Sequence, residues 1–193
     1  NDPILSFIRD DYDFLSQCSR NYPSAILYAN ENLQMSLSFI SEALKKQPNL
    51  ILHLPKQHRD DFFIADIVLR VDPYLFNIFS SKIRSDPSIY NMVLYKSIQQ
   101  LKFIPKKTLA SPSFKRQLQD LVFLHQDIYN YIPEKLKTSD MLAELTKSNG
   151  AILLSIPQDL ITNELLSIGI NSNIDCIIIL NHNLPQIDKL KVL

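Results

Sequence analysis

Four histidines (His53, His58, His125, His182), two cysteines (Cys18, Cys176) and the carboxylate pairs Asp10-Asp11 and Asp60-Asp61 are where this chain could hold a base, a nucleophile or a metal. A helical metal pair needs histidines at i and i+4, whereas His53 and His58 stand five apart across Pro55. The four histidines therefore read as scattered surface residues. Neither cysteine has a histidine at a spacing known for thiol nucleophiles, and there is no Gly-x-Ser-x-Gly. Two isolated glycines, Gly150 and Gly169, cannot build a phosphate-cradling loop. No catalytic residue, metal site or cofactor is expected. The second aspartate of each acidic pair falls where a helix should begin, so a cap explains it better than acid chemistry.

The elements that carry these residues recur. A slot, usually Pro or Asn, follows an apolar residue at Asn30, Pro55, Ser80, Pro105, Pro133, Pro157 and Asn181, at intervals of 25, 25, 25, 28, 24 and 24 residues. A fixed period of this size marks an array whose units bury their apolar faces by stacking. Six residues after the slots stand Ser36, Asp61, Asp86, Ser111, Ser139 and Asn163, with Asp11 in the same register ahead of the first. Each can accept from the free N–H groups of a first helical turn. Apolar residues then follow at i, i+1, i+4 and i+5, as in Phe39, Ile40, Ala43, Leu44 and in Ile64, Ala65, Val68, Leu69, which is one face of an α-helix. A second, shorter helix of about seven residues is expected next, opened by Pro23, Pro48 and Pro73 and carrying apolar residues four and one before the slot. Proline at the slot should stop it, leaving a short loop. The reading is an all-α solenoid of about seven helical hairpins over residues 1–193, as one domain. A leucine-rich-repeat solenoid shares the period. It is disfavoured by the two glycines, the helical apolar spacing and the recurrent caps.

Lys plus Arg equals Asp plus Glu at 20 each, so no global field draws in nucleic acid or an anionic membrane. The cysteines lie in distant repeats and suggest no disulfide framework, which suits a reducing compartment. No apolar run reaches membrane-spanning length. The chain starts Asn1-Asp2-Pro3 and ends like the opening of a further helix, so it is read as a segment of a longer protein.

Function is then sought in positions the core does not need. Thirteen and ten residues before the slot most units are polar, as at Glu42 and Lys45, but the middle units offer Ile67, Met92, Tyr95 and Phe123, an apolar interruption of the kind that marks a partner site. Two before the slot, Tyr28, His53, Phe103 and Tyr131 form a candidate stripe of rings, the second choice for partner binding. These surfaces predict a non-catalytic protein-interaction or recruitment module. The alternatives are a helical-repeat nucleic-acid binder stacking one base per unit, or an accessory domain of an enzyme whose catalytic part lies elsewhere.

With its capped first helix, apolar second helix and repeated Leu/Ile-Pro-x-x-Leu phrase, carried best by Asn21 to Ile40, Gln47 to Leu69 and Ser148 to Leu165, the chain resembles a family of helical repeats of about this length from bacterial and protist proteins, including candidate secreted effectors of intracellular bacterial pathogens. The resemblance implies an interaction scaffold acting in a host cytosol and brings no catalytic residues with it. Asn30 and Ser80 in the proline slot, Thr108 at a leucine position and three extra residues before Pro133 depart from the pattern.

Overall fold

The computed structural model describes residues 3–173, with side chains from Phe7 onward. The slot at Asn181, with Cys176 and His182, lies outside the described residues. Within them the chain is helical and contains no strand. It divides into two compact units, residues up to Pro105 and residues from Lys106.

The first unit contains α1 (Pro3–Asp10), α2 (Tyr12–Asn21), α3 (Glu31–Gln34), α4 (Leu37–Lys46), α5 (Phe62–Val71), α6 (Ser81–Arg84) and α7 (Pro87–Lys96). The second contains α8 (Lys106–Leu109), α9 (Pro112–Leu124), α10 (Ser139–Ser148) and α11 (Asn163–Ser172). The expected caps are mostly where the register puts them. Asp11, Asp61 and Asp86 accept from the amides of Phe14, Ile64 and Ser88, each at 2.9 Å, and Ser111 accepts from Phe114 at 3.3 Å. Ser36 holds the cap position of α4 but its hydroxyl faces Ser38 Oγ at 3.0 Å instead. Ser139 and Asn163 are not caps. Thr138 and Thr162, one residue earlier, accept from Met141 and Leu165. The turns after Pro133 and Pro157 are three residues long, at Glu134–Leu136 and Gln158–Leu160, where α3 and α6 have four, so the next helix opens one residue sooner.

The four apolar positions of α4, α5 and α7 are all buried, as is the corresponding set in α10, the hydroxyl-bearing Thr146 included. The three extra residues before Pro133 lengthen α9 to 13 residues, against 10 in α4, α5 and α7.

The second element differs from expectation. It is a 3-10 segment of four to six residues, at Pro23–Tyr28, Pro48–Leu52, Pro73–Ile78, Ile98–Phe103, Ile128–Tyr131 and Gly150–Leu154. Its buried pairs, such as Ile26 with Ala29, Phe76 with Phe79 and Leu153 with Ile156, are three residues apart. A 3-10 helix has three residues per turn, so this spacing keeps both side chains on one face, whereas an α-helix would splay them. The segment after the slot, expected as a short loop, is likewise a helical turn opened by the slot residue.

In the second unit both glycines serve one contact. A Cβ on Gly150 would lie 2.3 Å from the carbonyl oxygen of Gly169 in α11, and one on Gly169 would lie 2.4 Å from Leu153 Cδ1. The first obstacle is backbone and the second the end of a movable side chain. Gly150→Ala should therefore lower stability by about 1–3 kcal/mol, more than Gly169→Ala does, because only the former forces helix and 3-10 segment apart. Urea unfolding of the two variants tests this ordering.

Candidate interaction groove

The slot residues share one backbone conformation. Asn30 has φ −65° and ψ 167°, Ser80 has −62° and 161°, Pro55 −49° and 136°, and Pro133 −58° and 138°. Proline fixes that φ by its ring. Asn30 and Ser80 reach it with a free N–H and a capping side chain, and they accept from Leu33 at 2.8 Å and Ile83 at 3.4 Å. The departures from proline are thus helix caps rather than irregularities.

Their N–H groups supply the long-range tie. Asn30 donates to the carbonyl of Arg9 and Ser80 to that of Arg59, each at 2.9 Å and each twenty-one residues back. The side chains repeat the link one residue on, Asn30 Nδ2 to Asp10 Oδ1 and Ser80 Oγ to Asp60 Oδ1. Pro55 has no N–H for the equivalent carbonyl, that of Gln34. His58 Nε2 takes its place, donating to Gln34 O at 2.7 Å from a side chain only 2% exposed. His58 is therefore a core histidine and not the surface residue expected, because proline at the slot leaves a carbonyl that something must satisfy.

These ties repeat every fifty residues, twice the sequence period. Lys46 Nζ donates to Arg20 O at 2.6 Å, and Lys96 Nζ makes the same bond to Arg70 O. Gln34 Nε2 donates to the carbonyls of Leu27 and Ala29 at 3.1 and 3.2 Å, while Arg84 Nε donates to Phe79 O at 3.0 Å.

Across the turn face of the first unit runs a groove of about 940 Å³, walled by Arg9, Glu31, Gln34, His53, Lys56, Gln57, Arg59 and Asp60, with Ala29, Leu54, Pro55, Ile78 and Ser80 as its floor and ends. Of the expected partner residues it gathers His53 alone, beside Ile78 from the same register position. Tyr28 is 71% exposed and not part of it, and Phe103 is half-buried with Lys102 Nζ 5.0 Å from its ring centre. Tyr131, half-buried, belongs to the second unit. The central apolar patch does not form as expected. Ile67 is core, 7% exposed, because α5 packs against α4 on one side and α7 on the other, covering its flank. Met92 is half-buried, Tyr95 is exposed, and Phe123 is exposed on the second unit.

Arg9, Lys56 and Arg59 escaped sequence reasoning. Counting twenty-one back from the first four slots, which gives Arg9, Gln34, Arg59 and Arg84, would have found the two arginines as one polar rung per turn. Among the described residues, ion pairs form only at Lys45–Glu42, Arg70–Asp66 and Lys137–Glu134, none of them in the groove. Among the described residues no group of three or more His, Cys, Asp or Glu side chains could hold a metal, and no helix is long and apolar enough to cross a membrane. Compared with known protein families, curated proteins and solved structures, the chain matches none.

His58→Leu should cost about 1–3 kcal/mol, although leucine is native at the equivalent Leu33, because it strands the carbonyl of Gln34. Adding Pro55→Ser should recover much of that loss by restoring a slot N–H. A double-mutant cycle by thermal unfolding reads the coupling, and additivity of the two changes would refute the substitution of His58 for the missing donor.

Proposed function

We propose that the chain is a non-catalytic protein-interaction module, with the turn face of the first unit as its recruiting surface. The observation that carries this reading is the groove itself. Its lining comes from four successive chain segments, tied in sequence by the Asn30–Arg9, His58–Gln34 and Ser80–Arg59 hydrogen bonds. A repeat scaffold that spends its apolar residues on stacking and presents a polar row along one face is suited to extended partners. We extend the proposal to a solenoid of about seven helical-hairpin repeats and to the setting the resemblance implies, recruitment in a host cytosol as part of a bacterial effector.

Exposed Tyr95 and its half-buried neighbour Met92 on α7 give a second apolar candidate on the same unit. Partner capture by the intact chain, compared for His53→Ser with Gln57→Ala against Met92→Ser with Tyr95→Ser, separates the two surfaces. The groove pair should reduce capture several-fold at an unchanged melting temperature, as loss of interface contacts without loss of core does. Turnover of a substrate by the isolated chain, abolished by a single substitution, would overturn the non-catalytic reading.

A further inference from the structure

Resting on that interaction reading, we propose that the groove takes an extended acidic peptide, whose carboxylates are held by Arg9 and Arg59. The two arginines occupy the same position of the fifty-residue frame, Arg9 at the end of α1 and Arg59 in the 3-10 turn Lys56–Asp60. Neither is paired with the aspartate that follows it, since side chains adjacent in sequence point apart on a helical turn. Instead, the Asp10 carboxylate accepts from Asn30 Nδ2 and that of Asp60 from Ser80 Oγ, so both acids are turned to the slot residue. The guanidinium groups are left without a carboxylate partner among the described residues.

A comparison along the same rung sharpens the point. Gln34 uses its side-chain donor on carbonyls of its own turn, and Arg84 uses its guanidinium on Phe79 O and, one turn on, Phe103 O. Arg59 reaches only Leu52 O, at 3.4 Å, and its Nε is a buried donor with no acceptor among the described residues. That Nε is closed to solvent, so a ligand in the groove would meet the terminal Nη groups of the fork instead. Arginine presents a planar fork matched to carboxylates, and a bond to an ionised group is the stronger kind. Lys56 and His53 also line the groove, as do Glu31 and Asp60, the latter still charged beneath its bond from Ser80, so the lining carries three fixed cations against two carboxylates.

The dimensions favour a peptide over a single ion. The volume of about 940 Å³ lies near the top of the range for enclosed ligand sites of roughly 300–1,000 Å³. Two steps of helix packing, about 8–10 Å each, separate the two registers. Five or six extended residues span that at about 3.3 Å per residue. The acidic side chains would fall at the two arginine rungs, with Gln34 between them as a donor already committed to the frame.

Fluorescence anisotropy of the full chain with labelled octaglutamate tests the assignment, with octaglutamine and an oligothymidylate as comparison probes. Octaglutamate should bind at least tenfold tighter than octaglutamine and weaken steeply with salt. Arg9→Gln and Arg59→Gln should each lower its affinity about tenfold at unchanged melting temperature, while Lys45→Gln on α4 leaves it as it was. Equal binding of the two peptides, or unchanged affinity in a folded Arg9→Gln chain, would overturn the proposal. Tighter binding of oligothymidylate than octaglutamate would also overturn it, in favour of a nucleic-acid site. If octaglutamate fails while partner capture still depends on His53 and Gln57, the acidic specificity falls and the interaction reading stands.

Discussion

The hydrogen bond from a slot amide to the carbonyl twenty-one residues earlier sets the layout of the first unit. A helical repeat must join each turn to the one before it, and apolar contacts alone leave that junction free to slide. Here the junction is a directional backbone bond, from Asn30 to Arg9 and from Ser80 to Arg59. An unmet carbonyl in such a place is costly, so each alternative at the slot must bring its own donor. Proline at 55 supplies the required backbone angle and removes the donor, and buried His58 returns it. Over the first three slots the two solutions alternate, so Asn30 and Ser80, fifty residues apart, make the same tie with His58 between them.

The frame has a chemical consequence. The slot side chains hold Asp10 and Asp60, while the arginine before each acid points elsewhere, as neighbours on a helical turn do. An Arg-Asp-Asp tripeptide, present at residues 9–11 and again at 59–61, would in isolation look self-neutralising. In the folded chain its second residue holds the slot, its third caps a helix, and its first is left facing a groove. The positive character of that groove arises from how charges are partitioned, since the chain as a whole carries equal numbers of acidic and basic residues.

Much of this fold was legible from spacing. The helices α4, α5 and α7 begin where Ser36, Asp61 and Asp86 predict, and the i, i+1, i+4, i+5 pattern names every buried residue of these helices except Ile67. The 3-10 character of the second element was also written in the sequence, in apolar pairs three apart, but an α-helical template absorbed it. The surface was less legible for a physical reason. Whether Ile67 is exposed depends on neighbours flanking α5 on both sides, and whether His58 is buried depends on a proline three residues earlier removing a donor. Both are properties of packed turns. A single-repeat register, which treats every unit alike, also could not distinguish Arg9 and Arg59 from Gln34 and Arg84, since only their partners differ.

Amide hydrogen exchange at Asn30 and Ser80 measures the central bond most directly. Both residues lie at turns that a simple hairpin array would leave open to solvent, and neither amide is part of a helix's own ladder. If the frame is as described, both should exchange as slowly as the core amides of α5, opening only with the unit as a whole. Exchange at Asn30 and Ser80 as fast as in a free turn, beside a protected α5, would contradict it.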